Sequence, residues 1–333
     1  MSNIFNIFFR KKIVGVDIGT SAVKLVEISR LGNVKTLENY GEVKSALIQK
    51  EPLPNGKSGN MPSNDLLSLA IKEILGESRI KTKAVIFSIP DFSTFCTSFE
   101  IPPMTEKEIP GAIRFNASQY ITLPIGEVTL DWQIIPKSPD DKNSLLKVFL
   151  VAVPNQIVED YKAIAKGAGL ELYALEAEVL GITRALVKDN KKTLCLVDMG
   201  VQSSTISIID KGFLKKSYSF SFNGNQLQGQ DVVKNLQVLV GPLLVGPLLA
   251  EIKNVSAEFF QQEQREVQEV YLTGGTANLP GLKEYFQESL KKNVYFPNCF
   301  SGLLYNPILD LTLKGINPRF SAAVGVALGG LET

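Results

Sequence analysis

The chain has no histidine in 333 residues. That absence excludes Ser-His-Asp and Cys-His nucleophilic sites, histidine-ligated zinc and any imidazole general base. Cysteine is scarce. Cys96, Cys195 and Cys299 are far apart, odd in number and set among apolar residues, which suits buried thiols in a reducing compartment. A charge excess is missing too, since 35 basic residues face 34 acidic ones for a formal charge of +1. No chain-wide field therefore draws the molecule to nucleic acid or to an acidic membrane. The uncharged, largely apolar stretch Asn235 to Ala250 is shorter than the ~20 apolar residues of a spanning helix and contains Pro242 and Pro247. The opening residues MSNIFNIFFRKK put an apolar stretch before the basic cluster, the reverse of a secretory signal. They read as an apolar tail leading into the first strand or as a surface-seeking amphipathic start. The expectation is a cytoplasmic protein without a transmembrane helix.

What is present is globular. Hydrophobic residues make up 44% and charged residues 21%, and the length suits about two domains, each with its own core. The run IVGVDIGTSAVKLVEIS, residues 13–29, reads as strand, turn, strand, with β-branched residues on both sides of Asp17, Gly19, Thr20 and Ser21. Gly19 lets the backbone approach a bound group closely. Consecutive N–H donors and the two hydroxyls suit phosphate oxygens, and Asp17 would face a magnesium ion. A hairpin with a polar tip is the alternative. Lys24, on the second strand, reads either as a phosphate contact or as a solvated lysine.

Further along, a third strand is expected over 34–48, a loop over 50–63, a helix from Ser63 or Asn64 to about Leu75, and a strand over 84–89. Gly56, Lys57 and Ser58 look like the end of a P-loop but lack its first glycine and its context. Residues 95–150 have the texture of a small inserted α+β subdomain: a strand over 95–101, a helix capped by Thr105 with Glu108 and running towards Tyr120, and strands over 128–135 and 145–153. Pro110 inside that helix predicts a kink or a later start. Alternation then resumes with a helix over 154–166, a strand over 170–174 and a helix over 176–187.

The opening device then recurs. A strand over 193–197, a turn with Asp198, Gly200, Ser203 and Ser204, and a strand over 205–209 repeat its logic about one domain's length later. Two similar domains with matching turns across a cleft can clamp one phosphate chain. A third element, VYLTGGTANLPGLKEYF, ends a strand at Thr273, offers Gly274 and Gly275 for close approach, and starts a helix at Pro280.

In these places the chain resembles the actin-like ATPase superfamily: DIGTSAVKLVEI is similar to its phosphate-1 motif, DMGVQSSTISI to phosphate-2 and LTGGTANLPGL to the adenosine motif. IPPMTEKEIPGAIRFNASQYITLPIGEVTLDWQII and NPRFSAAVGVALGGL further resemble the inserted subdomain and final helix of the PilM family of type IV pilus assembly. The resemblance implies an α/β, actin-like (ribonuclease H-like) fold of duplicated domains around a nucleotide cleft. Its domains would be 1–186 with the insert 95–150, 187–320 with a reduced subdomain at about 223–267, and a helix over 321–333 returning to the first domain. It implies ATP and magnesium as cofactors. Asp17 and Asp198 would act on magnesium mainly through water. Gly19, Thr20, Ser21, Gly200, Ser203 and Ser204 would hold phosphates, and Gly274, Gly275 and Asn278 would border adenosine. Hydrolysis is expected to be weak or absent; Glu176, Glu178 and Gln202 are the candidates for positioning water, or plain helix and turn residues. The implied role is a scaffold of the pilus inner-membrane platform. It would bind the N-terminal cytoplasmic peptide of a PilN-like membrane protein between the first domain and the insert, alongside other platform proteins, with membrane association indirect. Phe115, Tyr120 and Trp132 are aromatic candidates for that groove or for core packing. An FtsA-like filament-forming ATPase and a small-metabolite kinase are the alternatives.

Overall fold

The computed structural model describes residues 10–44, 63–135, 145–188, 191–221 and 245–332. The first sheet is built from β1 (Lys11–Ile18), β2 (Ala22–Leu31), β3 (Val34–Lys44), β4 (Ala84–Ile89) and β8 (Glu171–Ala177), in the order β3-β2-β1-β4-β8. β2 and β3 run antiparallel to their neighbours, while β4 and β8 are parallel additions on the other side of β1. The second sheet repeats this arrangement with β9 (Thr193–Met199), β10 (Ser203–Asp210), β11 (Phe213–Ser221), β12 (Glu269–Thr273) and β13 (Asn293–Tyr295), in the order β11-β10-β9-β12-β13. Again two antiparallel pairings lie on one side and two parallel ones on the other. Asp17 and Asp198 each occupy the penultimate position of the first strand of their sheet.

The third sheet is the insert, where β5 (Phe95–Ile101), β6 (Val128–Ile134) and β7 (Leu146–Pro154) pair antiparallel in the order β5-β7-β6. One helix, α2 (Ile109–Ala117), covers it with Ile109, Ile113 and Ala117 against Phe99, Ile101, Val148 and Leu150. The later start is the outcome at Pro110, which sits in the first turn, where its missing N–H has no helical partner to lose. Thr105 and Glu108 do bond, N–H to Oε2 at 2.9 Å, but in a turn ahead of the helix rather than as its cap. After Ala117 the chain turns instead of continuing as helix to Tyr120.

Helices α1 (Asn64–Glu77) and α3 (Asn155–Ala168) cover one face of the first sheet through Leu67, Ile71, Ile74, Tyr161 and Ile164. The opposite face receives α4 (Glu178–Leu186), which starts later than 176 because β8 runs on to Ala177. The second sheet packs against α5 (Gly246–Glu263), with Pro247 in its first turn, and α6 (Leu282–Leu290). α6 does not begin at Pro280, because Gly281 at its N-cap has φ +82°, a left-handed conformation outside the helical range. Residues 45–48 of the expected third strand, and 223–244 of the expected reduced subdomain with the first LVGPL copy, lie outside the described residues.

After the short α7 (Asp310–Ile316), α8 (Ser321–Glu332) returns to the first sheet and is buried nearly all round, which its SAAVGVALGGL sequence of small and apolar residues permits. The fit leaves no spare room. A Cβ at Gly15 of β1 would lie 2.2 Å from the Ala323 carbonyl, and one at Gly325 would lie 1.8 Å from the Gly181 carbonyl of α4. Cys195 and Cys299 are buried, Cys96 is partly buried, and all three thiols are free; burial pushes Cys96 and Cys195 up to about 12.

Candidate nucleotide cleft and adjoining groove

The two Asp-Gly turns and the Thr-Gly-Gly turn meet at one cleft of about 730 Å³, counting the part open to solvent. The first sheet contributes Asp17, Gly19, Thr20, Ser21 and Lys24; the second contributes Asp198, Gly200, Ser203, Gly274 and Gly275. Each turn follows a strand end, where the crevice of an open α/β sheet lies. The backbone is tight there. Gly274 has φ +97°, and a Cβ on it would lie 2.5 Å from both Asp198 Oδ1 and the Met199 carbonyl, so a side chain would strain this wall.

Lys24 is not a solvated lysine. It is the cross-strand partner of Asp17, is buried, and its Nζ bonds Asp17 Oδ2 at 2.8 Å. Burial alone would lower the Lys24 ammonium; the charge and hydrogen bond of Asp17 outweigh it and hold the group above its ordinary value. Asp17 Oδ1 accepts from Ser88 Oγ at 2.9 Å. Both oxygens of Asp17 therefore have protein partners, and among the described residues no group of three or more acidic or thiol side chains is arranged to hold a metal ion by itself.

Three more carboxylates crowd the same space. Burial, and then the Asp17 charge, raise Asp198 to about 6, with Lys24 opposing. Loss of water contact, reinforced by Asp17, Asp198 and Asp91, pushes Glu178 well above the carboxylate range. Asp91, on the 3-10 turn Asp91–Ser93 between β4 and β5, is only 9% exposed; burial raises it to about 7 against the opposing Val179 N–H. Asp91 Oδ1 accepts from the Val179 N–H at 3.1 Å, whereas its buried Oδ2 makes no hydrogen bond of normal geometry, although the Thr205 hydroxyl across the cleft is near enough to oppose the rise of the carboxyl.

Several expected residues lie elsewhere. The Ser204 side chain is 1% exposed, outside the cleft lining. Its strand position explains this, since alternation turns Ser203 towards the cleft and Ser204 away. Asn278 is exposed, donates to the Gly315 carbonyl at 3.2 Å and does not line the cleft. Glu176 is held by Arg184 through two bonds, 2.6 and 2.7 Å, and lines a different groove, while the exposed Gln202 stays outside the cleft. Of the three water-positioning candidates, only Glu178 faces it.

Sequence reasoning missed Asp91, Phe92 and Arg319, which also line the cleft. The signal for Asp91 was available: SIPD ends β4, a parallel strand beside β1, so its next residues fall at the same crevice. Arg319 pairs with Glu42 of β3 at 2.9 Å and keeps a buried Nε without a partner. Nothing in the pattern around NPRF announces that position.

A second concavity of about 1600 Å³, open to solvent, lies between the insert, α4 and the β10–β11 turn. Trp132, Phe149, Leu180 and Phe213 give it apolar walls, and Arg184, Lys188, Lys211, Asp131 and Glu176 add charges of both signs to its lining. Of the other aromatic candidates, Tyr120 stacks on Phe99 with centroids 5.7 Å apart, and Phe115 is 70% exposed rather than in the core; neither lines the groove.

A family model described as type IV pilus assembly protein PilM matches residues 15–240. Among solved structures, the chain is similar to a PilM–PilN type IV pilus biogenesis complex, with 25% identity and a TM-score of 0.79 over 96% of this chain and 99% of that one. It is also similar to the ethanolamine utilization protein EutJ from Carboxydothermus hydrogenoformans, with 16% identity and a TM-score of 0.51 over 97% and 91% of the two chains, a likeness of fold alone.

Proposed function

The chain belongs to the PilM family of type IV pilus assembly proteins and has the actin-like ATPase fold, and on that premise we propose that it is an ATP-binding scaffold that captures the N-terminal peptide of a PilN-type partner. One observation carries the nucleotide half: three separate turns, each too weak alone, converge on one cleft whose lining includes a buried cation, Lys24. The donor set fits a nucleotide. Backbone N–H groups and the hydroxyls of Thr20, Ser21 and Ser203 suit phosphate oxygens, Lys24 supplies positive charge, and the turn at Gly274 and Gly275 offers a side-chain-free wall for a nucleoside to border. Magnesium fits only in company with the nucleotide. With Asp17 already bonded twice, the ion would be held by phosphate oxygens and water, with Asp17 and Asp198 outside that shell, where it would neutralise phosphate charge.

The partner half rests on the groove between the insert and α4. Its apolar walls and mixed charges suit an extended amphipathic peptide held by a preformed surface. Among the described residues no helix is long and apolar enough to cross a membrane, so in this reading the scaffold reaches the cytoplasmic face of the inner membrane through PilN and other platform proteins. Of the candidates for positioning water, Glu176 is committed to Arg184 and Gln202 lies outside the cleft lining, which leaves Glu178, whose carboxyl is pushed towards the neutral form by burial; in this reading hydrolysis is slow or absent.

Isothermal calorimetry with MgATP tests the first half. Wild type should bind, and Asp198→Asn should weaken binding by about 1.5–3 kcal/mol, the scale of a charge-linked contact. Equal affinity in the variant would remove Asp198 from the site, and no heat with wild type would sink the nucleotide reading.

A further inference from the structure

The cleft and the groove are built on the same elements. α4 shows Glu178 and Ile182 to the cleft and Leu180, Thr183 and Arg184 to the groove. The turn at Asp91–Ser93 lines the cleft and runs directly into β5, whose Cys96 and Ser98 pair with Val151 and Phe149 of β7 in the groove wall. Asp91 touches both routes. One oxygen accepts the Val179 N–H in the first turn of α4; the other, buried and unpartnered, sits at the cleft wall. A buried polar atom without a bond calls for a group that completes it. α4 cannot slide freely, because Gly181 and Gly325 lock it against α8 and Arg184 bonds the Gly325 carbonyl at 3.0 Å. α4 therefore carries the Val179 contact and the groove-facing side chains on one clamped element.

We propose that Asp91 is the positioning residue through which cleft occupancy sets the affinity of the groove: its free oxygen engages the nucleotide or its water, while its other oxygen and its main chain hold α4 and β5. This rests on the reading of the two sites given above.

Calorimetric titration of the full chain with the N-terminal PilN peptide, without nucleotide and at saturating MgATP, reads the coupling. Wild type should show at least about a fivefold change in peptide Kd between the two conditions. Asp91→Asn keeps an acceptor for Val179 and replaces the free oxygen by an amide; it should bring the ratio below about twofold. Saturation keeps any change in the variant's nucleotide affinity out of the comparison. An unchanged ratio in the variant, or a ratio of one in wild type with both ligands bound, overturns the role of Asp91 and leaves both sites standing. Failure of wild type to bind either ligand overturns the two-site reading and this inference together. Hydrogen exchange on wild type needs no variant. Bound MgATP should alter protection at Val179 and across 95–101 and 148–151, and unchanged protection there overturns the proposal.

Discussion

At the scale of single residues the cleft is a balance of one buried cation against several acids. Removing only the cation leaves Asp17 charged and buried, so Lys24→Met should cost about 3–5 kcal/mol in urea denaturation. The double variant Asp17→Asn, Lys24→Met should recover most of that loss; a double variant no better than the single one would show that the pair is not the source. Titration offers a second check. An acid whose folded-state pKa is raised binds more protons folded than unfolded between its ordinary and its raised value, so its contribution to stability falls as pH rises through that window. For Asp91 the window runs from 3.8 to about 7, and Glu178 acts in the same direction. In the unliganded protein, Asp91→Asn should therefore gain stability relative to wild type between about pH 4 and pH 7, measured as the difference in urea midpoints. A difference that is flat across that range would show that Asp91 is not held protonated. Asp17, Asp198 and the glycine turns were legible in the sequence because their chemistry is local. Lys24 was ambiguous because its partner depends on strand register, and Asp91 and Arg319 reach the cleft only by topology.

At the scale of elements, strands and helices were read well where periodicity was long, as in β1, β2 and α1, and less well where one residue decided an end. Pro110 and Gly281 each moved a helix start, the first by fixing a backbone angle and withholding a donor, the second by its left-handed conformation. The contact between α4 and α8 was invisible beforehand, since nothing local marks two glycines 144 positions apart as facing each other. Its tolerance is small. Gly325→Ala should destabilise the protein by about 1–3 kcal/mol or more, because the new methyl meets backbone rather than a movable side chain. Thermal unfolding checks this, and an unchanged midpoint would mean that the helices can separate.

For the whole molecule, duplication was the decisive sequence signal, and the two sheets with matching strand orders are its structural form. The insert is topologically an outgrowth: Phe95 and Ala152, at its entry and exit, are direct cross-strand partners. Deleting residues 95–150 should therefore abolish capture of the PilN peptide in a pull-down, and retained capture would move the binding site elsewhere. One feature of assembly follows from α8. Ile13, Val26 and Ile86 of the first sheet share a buried cluster with Ala323, Val324, Ala327 and Leu328, residues translated some 300 positions after β1. At synthesis rates of about 5–20 residues per second, that sheet waits roughly 15–60 seconds for its cover. During that interval a row of aliphatic side chains is presented to solvent on a nascent chain, which makes this face the natural place for a chaperone to hold.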